Sequence, residues 1–204
     1  MALTHGLRMI NVKINEDILL ICDFISNPDM IEIINDIKNE RDYIVNDPYI
    51  HEDTSYRRLY VDIKYADRRG SSIILNMIES YLFSKQTRST VGKLKSYPFS
   101  TYRRTDKHET QLTVYGNDGR YHWHYDNDQH RLLSYVLPVD VNKKTWTGGE
   151  LIIEYNGKNI KIKPKHNQLI LFSSHLKHKV LPVKKNGNDL FDGRVVINGH
   201  IGFI

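Results

Sequence analysis

An α+β fold, with helices packed against one side of a sandwich or jelly roll of short strands, is what this sequence predicts. Three observations carry it. Apolar residues recur with helical spacing twice before residue 84. After residue 94 the pattern is almost wholly strand. Turn residues then break that region into at least seven short strands.

In chain order, Asp17 to Ile25 reads as a strand centred on the apolar run Ile18 to Cys22. Asn27 and Pro28 start a helix, an N-cap followed by proline in the first turn. Met30, Ile33, Ile34 and Ile37 form its apolar stripe. Residues 42 to 58 are polar and broken by Pro48, and Leu59, Val61 and Ile63 alternate as a strand. A second helix is expected from Ser72 to about Phe83, with Ile74, Met77, Ile78 and Tyr81 on one side. Beyond residue 94, Leu112 and Val114 alternate with Gln111, Thr113 and Tyr115, and Asn117-Asp118-Gly119 supplies a turn. Asn156-Gly157 marks a two-residue hairpin between Ile153 and Ile160. Gln168 to Phe172 and Arg194 to Ile201 are further apolar runs. One domain is expected over residues 1–204, with helical support over about 1–93 and the jelly-roll core over about 94–204.

Hydrophobic residues make up 40% of the chain and charged residues 26%, the balance of a globular protein rather than a disordered one. No apolar run approaches the roughly 20 residues that span a bilayer. The N-terminus lacks a basic-then-apolar leader with a small-residue cleavage site. A single cysteine, Cys22, excludes an internal disulfide framework and suits a reducing cytoplasm, the expected location. It reads as a small core residue. The net charge of +5 mildly favours an anionic partner. The basic residues come as scattered pairs, however, such as Arg57-Arg58, Arg68-Arg69, Arg103-Arg104 and Lys184-Lys185. That is the pattern of a solvated surface more than of a nucleic-acid stripe.

Candidate chemistry concentrates between Thr113 and Asp128. His124 and Asp126 stand two residues apart, and in a strand such residues share a face. One strand could therefore offer both to a single ion. A third ligand from elsewhere would complete the two-His-one-carboxylate arrangement that suits non-haem Fe(II) and leaves positions open. The tripeptide alone is weak, since composition yields about one by chance. A second copy, His51-Glu52-Asp53, lies in a polar stretch and reads as surface loop. Later histidines that could add the third ligand are His166, His175 and His178, with His166 after the turn Lys163-Pro164-Lys165.

Tyr115, Gly119, Tyr121, His124 and Asp126 together resemble the entry to the active site of 2-oxoglutarate/Fe(II) oxygenases, prolyl 4-hydroxylase-like members above all. Arg131-x-x-Ser134 leading into an apolar strand, Gly148-Gly149-Glu150-Leu151, and a histidine four positions before Pro182-Val183 follow in the same order. The resemblance runs from about Tyr115 to Ile201. It implies a double-stranded β-helix with His124, Asp126 and His178 as metal ligands and catalytic residues, His175 being the alternative to His178. It also implies that Arg194 pairs with the distal carboxylate of 2-oxoglutarate, a role its planar fork suits. Sixteen positions separate His178 from Arg194, longer than the family's usual interval, so Lys184 to Asp192 reads as an inserted loop. Lys184 or Lys185 is the fallback clamp. Tyr115 is either a hydrogen bond to 2-oxoglutarate or a core aromatic. Arg131 either reaches the primary substrate or pairs with Asp128. Pro138 and His200 stand where relatives often carry Tyr and Trp.

The implied cofactors are Fe(II) and the co-substrate 2-oxoglutarate, with ascorbate as an optional reductant. The implied reaction is hydroxylation of an aliphatic C–H bond, on a protein or peptide side chain such as proline, or on a small molecule. Nucleic-acid demethylases carry a second arginine six residues after the clamp, where this chain has His200. The alternative from another class is a non-catalytic jelly roll with a vestigial or Zn(II)-filled site. The stretch Asp42 to Arg58 and the insertion Lys184 to Asp192 are candidate lids.

Overall fold

The computed structural model describes residues 10–46, 58–62, 73–128, 130–143 and 145–203. The His51-Glu52-Asp53 copy, the Arg68-Arg69 pair, most of the first candidate lid, Ile63 and the expected helix start at Ser72 lie outside the described residues.

Helix α1 (Asn27–Asn39) is capped by Ser26, one residue earlier than expected, because the Ser26 hydroxyl reaches the Asp29 amide at 3.4 Å. Its stripe buries Met30, Ile33 and Ile37. Helix α2 (Ile73–Leu82) buries Ile74, Ile78 and Leu82, and its Tyr81 hydroxyl accepts from the Ser26 amide and bonds Asp29, tying the two helices together. Helix α3 (Lys85–Val91) was not foreseen. Its polar sequence buries only Thr87 and Val91, too few to leave a stripe. Ser84 caps it, and Arg88 fastens it by donating to the carbonyls of Arg103 and Thr105 at 2.8 and 2.9 Å.

Strands β1 (Ile10–Asn15) and β2 (Ile18–Cys22) precede α1, and β3 (Val45–Asn46) and β4 (Arg58–Asp62) follow it. After the helices come β5 (Lys107–Tyr115), β6 (Tyr121–His124), β7 (Arg131–Val139), β8 (Trp146–Gly148) and β9 (Leu151–Tyr155). The remainder are β10 (Lys158–Ile162), β11 (Leu169–Ser173), β12 (His178–Val180), β13 (Val183–Lys185) and β14 (Arg194–Gly202). They build an eight-stranded sheet in the order β1-β2-β11-β7-β14-β5-β4-β3 and a four-stranded sheet in the order β10-β9-β12-β6, with β13-β8 as a separate pair. The pairings are antiparallel, and the architecture is the expected jelly roll. The first hairpin extends the large sheet through β2 on β11.

Strand alternation divides the interior in two. From β14, Val195, Ile197 and Ile201 join Leu112, Val114, Leu133 and Leu171 against Phe24, Ile33, Ile78 and Tyr102 on the helical side. From the opposite faces, Val196, Ile170, Phe172 and Tyr115 meet Leu151, Ile153 and Val180 of the small sheet. Arg194, Asn198 and His200 point the same way as Val196 and line a cavity between the sheets. At the hairpin between β9 and β10, Asn156 and Gly157 both take the left-handed backbone (φ 49° and 73°) that such a two-residue turn requires.

Asn167 joins the helical region to the sheet. Its Oδ1 accepts from the Ile25 amide at 2.9 Å, its Nδ2 donates to the Ile25 carbonyl at 2.7 Å, and its own backbone is left-handed at φ 54°. Replacement by alanine would leave a buried amide and carbonyl unpaired. Asn167→Ala is therefore expected to lower unfolding free energy by about 2–4 kcal/mol, measured by urea denaturation.

Candidate metal centre

Strand pairing brings two imidazoles together. His124 ends β6, His178 begins β12, and the two stand directly opposite in the ladder with ring centroids 4.0 Å apart. Asp126 lies two residues past the end of β6, not on the strand as its spacing suggested. Its amide donates to the Ser174 carbonyl at 3.1 Å, which turns its carboxylate back to the histidines. One donor atom from each of His124, Asp126 and His178 lies within 4.8 Å of the others.

Each imidazole is oriented by the carbonyl two residues before it. His124 Nδ1 stands 2.7 Å from the His122 carbonyl, and His178 Nδ1 stands 2.9 Å from the Leu176 carbonyl. A carbonyl only accepts, so each Nδ1 carries the proton and each Nε2 presents its lone pair. His124 Nε2 is 3.5 Å from Asp126 Oδ1, and His178 Nε2 is 3.3 Å from Oδ2. Neighbouring rings hold the imidazoles laterally: Tyr121 meets His124 edge-on at 4.1 Å and Phe172 meets His178 at 4.9 Å.

Protonation follows from the surroundings. Burial, then the positive potential of His178, lowers the His124 pKa from 6.5 to about 4 against the opposing pull of Asp126. At neutral pH its lone pair therefore faces a carboxylate oxygen with no proton between them. For Asp126, burial raises the pKa, but the facing imidazoles, His178 first and then His200 and His124, outweigh it and hold the carboxyl below its usual range. Two lone pairs and a carboxylate converging on one point fit a divalent cation.

The same cavity, about 170 Å³, contains Arg194. This side chain is 1% exposed, and none of its three guanidinium nitrogens has a hydrogen-bond partner among the described residues. Its guanidinium lies 4.9 Å over the Tyr115 ring, its cross-strand neighbour. Burial lowers its pKa, and Tyr115 opposes the shift. Gly149 makes room: its left-handed backbone (φ 65°) puts a notional Cβ 2.7 Å from Arg194 Cδ. A buried cation without a counter-ion is costly. A carboxylate entering the cavity would relieve that cost.

His166 and His175 are exposed and outside the triad, and His166 Nδ1 accepts from the Asp140 amide. Arg131 pairs with Glu109 Oε2, through Nε at 3.0 Å and Nη2 at 2.6 Å, not with the Asp128 side chain as one alternative held. Lys184 is exposed, and Lys185 donates to the Asp189 carbonyl at 2.7 Å. The insertion itself is fastened: Asp189 accepts from Arg41 at 2.7 Å and caps the turn Leu190–Asp192, and Phe191 is buried.

Ser134 and His200 were named in the sequence without a site role, and Asn198 was not singled out. Ser134, Asn198 and His200 all line the cavity. The β14 pair could have been found by counting alternate residues from Arg194.

Residues 110–202 match the sequence model of the 2OG-Fe(II) oxygenase superfamily. No curated protein matches the sequence. Among solved structures, a Pseudomonas putida prolyl-4-hydroxylase superposes with a TM-score of 0.64 at 17% identity, covering 92% of this chain and 93% of that one. A Trichoplax adhaerens prolyl hydroxylase, solved with a hypoxia inducible factor peptide fragment, gives 0.65 at 19% identity over 92% and 84%. A viral collagen prolyl hydroxylase from Paramecium Bursaria Chlorella virus-1, solved with 2OG, gives 0.55 at 20% identity over 92% and 96%. Over residues 110–202 the chain thus resembles the 2OG-Fe(II) oxygenases, and its His-Asp-His group is compatible with a bound metal ion. The fold is prolyl-4-hydroxylase-like.

A lowered His124 pKa has a sign that can be measured. Between pH 6.5 and about 4 the unfolded chain binds the proton that the folded site refuses. The metal-free protein should therefore lose stability as pH falls through that window. Urea denaturation at a series of pH values checks it, with a shallower dependence expected for His124→Asn.

Proposed function

We propose that His124, Asp126 and His178 hold Fe(II), that Arg194 binds the distal carboxylate of 2-oxoglutarate, and that the enzyme hydroxylates an aliphatic C–H bond of a protein or peptide side chain, proline first. The observation that carries the co-substrate assignment is the buried guanidinium of Arg194, which has no hydrogen-bond partner among the described residues and shares the triad's cavity. Support for a peptide substrate comes from the fold's likeness to prolyl hydroxylases, one of them solved with a peptide. Fe(II) bound at the triad supplies the chemistry that couples oxidative decarboxylation of 2-oxoglutarate to hydroxylation.

The chain's own contribution is positioning and exclusion of water. The His122 and Leu176 carbonyls keep both Nε2 atoms unprotonated and aimed inward. Arg194, with Tyr115 beneath it, offers a planar fork to a carboxylate. Leu151, Phe172, Val180 and Val196 wall the cavity and strengthen that attraction by lowering the local dielectric. Hydroxylation of a small molecule is the second reading, favoured by the polar cavity side chains Gln111 and Asn198.

Anaerobic titration of the metal-free protein with Fe(II) and 2-oxoglutarate should produce a weak visible metal-to-ligand charge-transfer band. Arg194→Ala should weaken 2-oxoglutarate binding about thirtyfold or more, the cost of truncating one partner of a buried charge pair. His178→Ala should abolish Fe(II) binding, and His175→Ala should leave it intact. A band unchanged in Arg194→Ala would remove the clamp assignment. Turnover with prolyl peptides but not free amino acids separates the two substrate readings.

A further inference from the structure

Asp126 is the one member of the triad that no strand ladder holds, since β6 ends at His124. Both of its oxygens face imidazoles, Oδ1 at 3.5 Å from His124 Nε2 and Oδ2 at 3.3 Å from His178 Nε2. The triad alone therefore does not select which oxygen, or whether both, would turn to a metal. The surroundings do. Oδ2 accepts the hydroxyl of Ser134 at 2.7 Å. Ser134 lies on β7, 2% exposed, and two further groups approach its oxygen: Ser174 Oγ at 3.1 Å and His200 Nδ1 at 3.4 Å.

A hydroxyl has one proton and two acceptor lone pairs. The carboxylate can only accept, so the Ser134 proton goes to Asp126, and Ser174 and His200 must donate to Ser134. Three donors thus form a buried relay that ends on one carboxylate oxygen. His200 reaches it because it alternates with Asn198 and Val196 on β14 and stands opposite Ser134 in the ladder.

We propose that Ser134 is a positioning residue that reserves Oδ2 of Asp126 and leaves Oδ1 as the single carboxylate atom offered to the metal. This rests on the Fe(II) reading of the triad. Two imidazoles and one oxygen would leave the other positions of a six-coordinate ion open to co-substrate and dioxygen. A carboxylate bound through both oxygens would close one of them.

The test uses the full chain, metal-free, titrated anaerobically with Co(II) and followed by its visible spectrum, for the parent, Ser134→Ala and Ser134→Thr. Thermal melting of each metal-free protein is measured alongside. Ser134→Ala should bind Co(II) about 10–100-fold more weakly, the range for losing a group that orients a ligand, while still melting in one cooperative transition. Ser134→Thr, which keeps the hydroxyl, should recover parental affinity. Equal affinity in parent and Ser134→Ala, or a loss that Ser134→Thr does not recover, overturns the proposal. No Co(II) binding by the parent overturns instead the reading of the triad on which it rests.

Discussion

The pairing of β12 with β6 is the constraint on which the site depends. It sets His178 opposite His124, so two imidazoles from segments more than fifty residues apart in sequence share one edge of the small sheet. A slip of one residue would turn either ring to the other face. The hydrogen bond from each Nδ1 to a carbonyl two residues earlier then turns both rings so that Nε2 points inward. Asp126, beyond the strand, completes the group only because β7 and the turn before β12 supply Ser134 and the Ser174 carbonyl.

The opposite wall depends on β14. Lying between β7 and β5, it is buried on both faces, and its alternation sends aliphatic residues to the helices and Arg194, Asn198 and His200 to the cavity. An arginine buried with no hydrogen-bond partner among the described residues is destabilising by itself. The fold tolerates it through the Tyr115 ring beneath it and the space left by Gly149, while the surrounding apolar packing remains complete. Stability is given up there in return for a cationic wall to the cavity. A local conflict between burial and polarity is most informative in such a place.

Much of this was legible in the chain. The core of β2, the stripes of α1 and α2, and the Asn156-Gly157 hairpin follow from period and turn chemistry. The three side chains singled out as ligands do lie together. What escaped has physical reasons. Helix α3 carries too few apolar residues to show a period. Asp126 left the strand because β6 is only four residues long, and strand length is set by pairing. Arg131 found Glu109, a partner 22 positions away that only the sheet register brings near.

The sequence by itself determined which faces are apolar, where the chain turns, and which residue types could hold a metal and a carboxylate, because these are local properties of side chains and backbone. Only the tertiary structure decided that Arg194 has no hydrogen-bond partner among the described residues, that Ser134 and His200 close on Asp126, and that Asp189 of the insertion pairs with Arg41. Each of those depends on segments distant in sequence meeting across a sheet, and that is settled by packing and register, which no local pattern encodes.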